Sequence, residues 1–311
     1  MSILNHRGPM GLDDLLPWPE PDTFDQQLET SPYLSYSPEV NRGPSDVANS
    51  DCHLRQMQGF SQQGSALTVA SAQRLSPTEY ADLFHNIRVD YFNPQTDMAN
   101  SVTVNVHIYN NNGIDRRRGN MNEKGALVSA LRRELRNADG LGLIGVERGH
   151  KVQIAHCFYG KGDPDEYRVT LMYALRYKRC TPGNLQRYCD RNAKLGLDCS
   201  GFVNSYFKHI GRVSESRLIS TYERGTLRSD ESEIGDLDVL IWQGGSTDHI
   251  AVVDHVIVGS NPLKMVVVES SGSKEGLATS EYTVHSVRNQ IFRVHRGGPG
   301  RRTSRVKIVQ V

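Results

Sequence analysis

The order of hydrophobic periodicities constrains the fold of this chain more than any other feature. From about residue 151, apolar residues recur at helical spacing up to about residue 210, and short strand-like runs follow one another after it. Ser76-Pro77-Thr78-Glu79 is a capping box with proline at the first helical position, which predicts a helix start. Ala126, Leu127, Ala130, Leu131 and Leu135 fall at three- and four-residue steps across 123–137, an amphipathic helix ended by Gly140 and Gly142. Val102, Val104, Val106 and Ile108 alternate as in a half-buried strand, closed by the turn residues Asn110-Asn111-Asn112-Gly113. A further helix is predicted near 168–178. Another starts at Cys199, with Phe202, Val203, Tyr206, Phe207 and Ile210 as its apolar face. Strands are predicted over 239–242, 250–258, 265–269 and 290–294. Helices first and consecutive strands afterwards imply an α+β fold with a mostly antiparallel sheet.

At 311 residues the chain is long enough for one large domain or two modest ones. Residues 1–65 hold seven of the 13 prolines and show no sustained period, so they read as a disordered or weakly structured N-terminal region. Leu12, Leu15, Leu16 and Trp18 read as incidental apolar residues within it, with a docking peptide as the alternative. Residues 66–150 read as a small α/β region of unassigned role, 151–296 as an α+β domain, and 297–311 as a solvated basic C-terminal tail carrying Arg301, Arg302, Arg305 and Lys307.

Charge and composition narrow the function classes. The formal net charge of +1 excludes a polyanion binder acting through bulk charge, and no nucleic-acid partner is expected. The charge is uneven: residues 1–60 carry three basic and nine acidic side chains. No run of 18 apolar residues occurs, so neither a transmembrane helix nor a membrane partner is expected. No basic segment followed by an apolar one opens the chain, which predicts cytoplasmic synthesis without a signal peptide. The five cysteines, Cys52, Cys157, Cys180, Cys189 and Cys199, are odd in number and contain no CxxC pair. They predict reduced thiols rather than a disulfide framework or a zinc site, and no metal or cofactor is expected.

Chemistry concentrates in Leu197-Asp198-Cys199-Ser200-Gly201-Phe202-Val203-Asn204. Asp198 is a capping residue, which puts the Cys199 thiol on the first turn of a helix. There the unsatisfied N–H groups and the positive end of the macrodipole favour thiolate. Asp198 itself carries a charge that opposes thiolate formation, so the helix terminus and a base must outweigh it. A cysteine nucleophile needs that base within hydrogen-bond reach and a third group to orient it. His249, at the mouth of the apolar run Ile250-Ala251-Val252-Val253, is the best base, and Glu269, ending Met265-Val266-Val267-Val268, is the orienting carboxylate. His255 has the same parity as His249 but lies about 20 Å farther along a regular strand. Cys157 and Cys189 read as packing residues.

The cysteine segment resembles the DCSG-(L/F)-V signature of the NlpC/P60 cysteine peptidases, and Ile234-Gly235-Asp236-Leu237 with His249-Ile250-Ala251-Val252 resembles that family's GDL…HVGI segment. Val267-Val268-Glu269 falls where the family has its third polar residue, usually His, Asn or Gln. The resemblance covers roughly 150–296. It implies a papain-like α+β domain with the nucleophile at a helix N-terminus, hydrolysing amide bonds in bacterial peptidoglycan stem peptides. Cys199 is then the nucleophile, His249 the general base and Glu269 the orienting residue. A CHAP-type amidase of the same clan matches nearly as well. Tyr188 stands near the position of the family's tyrosine. The implied partners are peptidoglycan or muropeptides, together with an inhibitor or immunity protein. A cell-wall substrate then implies export by a specialised secretion route, release by lysis, or action inside the cell on muropeptides. An acyltransferase on the same core, and a non-catalytic binding protein on the same scaffold, remain alternatives.

Overall fold

The computed structural model describes residues 74–93, 96, 98–110, 118–137, 144–190, 195–215, 217–243, 249–274, 276–297 and 303–311. Ser71–Val311 is one compact unit. The expected N-terminal region 1–65, Cys52 and the turn at Asn111-Asn112-Gly113 lie outside the described residues.

Six α-helices are present among the described residues: α1 (Pro77–His85), α2 (Arg118–Asn137), α3 (Ile144–Phe158), α4 (Pro164–Arg176), α5 (Cys199–His209) and the short α6 (Ile219–Tyr222). The capping box at Ser76 forms as its residues dictate: Ser76 Oγ accepts the Glu79 N–H and the Glu79 carboxylate accepts the Ser76 N–H. Asp163 and Glu166 build the same device at α4. Strands β1 (Ile87–Asn93) and β2 (Met98–Val104) form a separate antiparallel ribbon. The second sheet contains β3 (Thr226–Leu227), β4 (Val239–Trp242), β5 (Ile250–Ile257), β6 (Lys264–Ser271), β7 (Gly276–Arg288), β8 (Ile291–Arg296) and β9 (Ser304–Gln310).

That sheet closes. Its order is β9-β4-β5-β6-β7-β8, and β8 pairs back onto β9, giving a six-stranded antiparallel barrel. The two-residue β3 adds to β9 beside β8. Alternation sorts the strand residues into two cores. Leu240, Ala251, Val253, Met265, Val267 and Phe292 belong to a cluster built from the barrel strands, the inward face. Val239, Ile241, Ile250, Val252 and Val268 point the other way and pack with the helices. Burial on both faces is why β5 and β6 read as continuous apolar runs.

The expected papain-like α+β fold is therefore corrected to a closed barrel flanked by helices. Two strands absent from the sequence reading produce the closure. Residues 297–311, expected as a solvated tail, supply β9, in which Val306, Ile308 and Val309 are fully buried between β4 and β8. The basic residues there alternate with the apolar ones, so charge content hides a period of two. β7 is masked by Thr, Ser, Glu and His on its outer face, and a bulge between Val284 and Ser286 breaks its alternation.

Residues 74–137 do not stand apart from the rest. Tyr80, Phe84, Val104, Val106, Leu127 and Leu131 share one core with Phe202, Tyr206 and Phe207. Polar contacts reinforce the join: Tyr80 Oη lies 2.7 Å from Ser205 Oγ, the Thr78 N–H donates to Asp254 Oδ1 at 2.9 Å, and the Leu277 N–H donates to the His107 carbonyl at 2.6 Å.

Candidate active site

The nucleophile's position follows from the segment before it. The Leu197 N–H donates to the Ile108 carbonyl at 2.8 Å, and the Leu197 carbonyl accepts from the Asn110 N–H at 3.1 Å and from the Ser270 hydroxyl at 2.6 Å. Asp198 is the N-cap of α5, with its carboxylate accepting the Gly201 N–H. Cys199 is then the first helical residue, as the sequence reading expects, and its N–H has no acceptor within the helix. Phe202, Val203, Tyr206 and Phe207 bury the inner face of α5, which packs on β5 and β6.

The barrel supplies the other two groups. His249 precedes β5, and its carbonyl accepts the Trp242 N–H at 3.0 Å. Glu269 lies on β6 with the inward parity of Met265 and Val267. Both side chains therefore gather at one mouth of the barrel. His249 Nε2 lies 2.7 Å from Glu269 Oε2, and the Cys199 side chain is close enough to act on the same imidazole. With Nε2 taken by the carboxylate, Nδ1 is the nitrogen left for the sulfur. All three residues expected from the sequence thus converge. Cys199 is buried, and the His249 side chain is 18% exposed.

Electrostatics follow from this packing. Burial alone would drive the proton off His249, but the hydrogen bonds to Cys199 and Glu269 and the charges of both outweigh it, so the imidazole titrates at about 9. Burial would raise Glu269, yet the hydrogen bond to His249 and the charge of Lys274 dominate and hold it down at about 2. Burial lowers Lys274, while Glu269 opposes that shift.

Four residues around the triad escape sequence reasoning. Lys274 Nζ donates to Glu269 Oε1 and to Ser280 Oγ, the latter at 2.7 Å, with its side chain only 4% exposed. The Tyr282 hydroxyl donates to Glu269 Oε1 at 2.6 Å. Trp242 packs edge-on to the His249 ring, centroids 4.6 Å apart, and contacts Tyr282 at 6.0 Å. Lys161 pairs with Asp198 Oδ2 at 2.5 Å. Recognising β7 would have found Tyr282 and Ser280, because pairing Glu269 with Ala278 puts 278, 280 and 282 on the carboxylate's face. Nothing local marks Lys161 or Lys274.

The remaining sequence candidates sit elsewhere. A bulge at Asp254 reverses the parity of β5 beyond Val253, so His255 leaves the face of His249. It is exposed and pairs with Asp254 at 2.8 Å. The Tyr188 hydroxyl donates to Glu123 Oε1 at 2.9 Å in a cluster with Arg179, away from the triad residues' own contacts. Cys157 and Cys189 are buried, and burial pushes both thiols well up, consistent with packing roles. No model of a known protein family matches the chain, and no curated protein matches it.

Proposed function

We propose that this protein is a cysteine hydrolase that cleaves amide bonds through a Cys199–His249–Glu269 triad. The observation that carries the reading is one imidazole hydrogen-bonded to a carboxylate at 2.7 Å, beside a thiol at a helix N-terminus whose proximity acts on the same ring. In the reaction the thiolate of Cys199, its proton already held by the His249 imidazolium, attacks the carbonyl carbon. Glu269 holds the imidazolium in place. The Cys199 N–H faces the developing oxyanion, aided by the helix dipole. Collapse of the tetrahedral species breaks the C–N bond, and His249 returns its proton to the leaving amine. A thioester remains. Water, deprotonated by His249, then releases the acid and restores the thiol.

The proposed substrate is the stem peptide of bacterial peptidoglycan, supported by the resemblance of the segments around Cys199 and His249 to those of NlpC/P60 peptidases. The test is incubation of the protein with purified peptidoglycan and, in parallel, with acylated amines, followed by mass spectrometry. Soluble muropeptide fragments that disappear with Cys199→Ala support the reading. Fragment release that persists in Cys199→Ala rules out the nucleophile. Products that carry an acyl group on a new amine, with no hydrolysis, replace the hydrolase by a transferase.

A further inference from the structure

The turn after α3 meets the start of α5 more closely than any side chain would allow. Gly160, at φ +74°, accepts the Asp198 N–H at 3.0 Å, and a Cβ on Gly201 would lie 1.9 Å from the Gly160 carbonyl oxygen. This contact fixes the next residue, Lys161. Its N–H donates to the His156 carbonyl at 2.8 Å, and its Nζ pairs with Asp198 Oδ2 at 2.5 Å and donates to Ser200 Oγ. The ammonium thus contacts the residues on both sides of Cys199.

Asp198 is 7% exposed and adjoins the nucleophile. Its capping role needs an acceptor and not a charge, since Asn caps as well as Asp. Its negative charge, by contrast, disfavours a second negative charge on the neighbouring sulfur. We propose that Lys161 is a positioning residue that cancels the charge of Asp198, leaving the positive end of α5 free to act on Cys199. This rests on Cys199 being the nucleophile. The other ionisable groups facing this helix start are His249, Glu269 and Lys274 from the barrel, Tyr167 from α4 and Cys157 from α3. Burial holds Tyr167 and Cys157 neutral, Lys274 is matched by Glu269, and the charge of His249 is taken up by Glu269 and Cys199, so none of these pairs with Asp198.

The experiment measures iodoacetamide alkylation of Cys199 against pH in the full-length protein, resolved by peptide mass spectrometry so that other thiols do not interfere. Lys161→Met is expected to slow alkylation at pH 6–7 by about fivefold, the scale of one partly exposed charge interaction, and to displace the profile to higher pH. Lys161→Arg restores it. Asp198→Asn in the Lys161→Met background also restores it, and Asp198→Asn alone labels at least as fast as the wild type. A merely structural role for Lys161 would not be rescued by removing the opposite charge. The inference is overturned by an unchanged profile in Lys161→Met, by a double variant as slow as Lys161→Met, or by slower labelling of Asp198→Asn alone. That last variant decides the matter even where Lys161→Met does not fold. Wild-type Cys199 labelling no faster at pH 7 than a free cysteine peptide instead overturns the nucleophile reading, and this inference with it.

Discussion

Glu269 shows how one buried carboxylate is kept ionised. His249 holds one oxygen, and Lys274 and Tyr282 hold the other. A carboxylate with this many donors behaves as a fixed charge, and the ammonium of Lys274 tempers what the imidazole feels. The consequence for pH is directional. His249 titrates at about 9 against an ordinary 6.5, so its contribution to stability is complete below pH 6.5 and is lost as pH rises through about 9. Glu269 titrates at about 2 against 4.5, so its contribution is present above pH 4.5 and is lost as pH falls through about 2. The pair supports the fold most between about pH 4.5 and 6.5. Glu269→Gln should destabilise the protein by about 3–5 kcal/mol in urea titrations, because Lys274 is left buried without its counter-ion. The same variant should lower the pH at which the His249 ring loses its proton, read from its NMR shifts. An imidazole that still titrates near its wild-type value would mean that Glu269 does not orient it.

Among elements, β9 carries the largest consequence. It bridges β4 and β8, and without it the barrel has two open edges. Ile308→Ala should cost about 2–5 kcal/mol in chemical denaturation, as expected for a large-to-small change in a packed core. Lys307→Ala should cost under about 1 kcal/mol, since it loses only a partly exposed pair with Glu223. Equal effects of the two would return 304–310 to the status of a solvated tail. The start of α5 is the second sensitive element. Gly201→Ala puts a methyl group into the Gly160 carbonyl, so α5 must shift and carry Cys199 away from His249. The expected readout is slow alkylation of Cys199 together with a lower melting temperature.

For the whole molecule, the helical layer and the barrel share a single framework that begins well before residue 151. Tyr80, Phe84, Val104, Val106, Leu127 and Leu131 are buried in the core that also seats α5. A fragment 151–311, the stretch carrying the family resemblance and its tail, should therefore fail to fold. Circular dichroism and proton NMR should show no cooperative melt and little dispersion, whereas a dispersed, cooperatively melting fragment would establish it as an independent domain. Local patterns in the sequence determined the caps at Ser76 and Asp198, the apolar face of α5, the cores of β4, β5 and β6, and the three residue types able to do thiol chemistry. Each of these rests on interactions within a few residues, so periodicity and capping chemistry record it. Only the tertiary structure decided that the sheet closes, that a bulge turns His255 away, and that Lys274, Tyr282 and Lys161 surround the triad. Those outcomes depend on pairings between distant segments. A lysine or tyrosine there carries no mark of its future partner until the strands that bring them together have met.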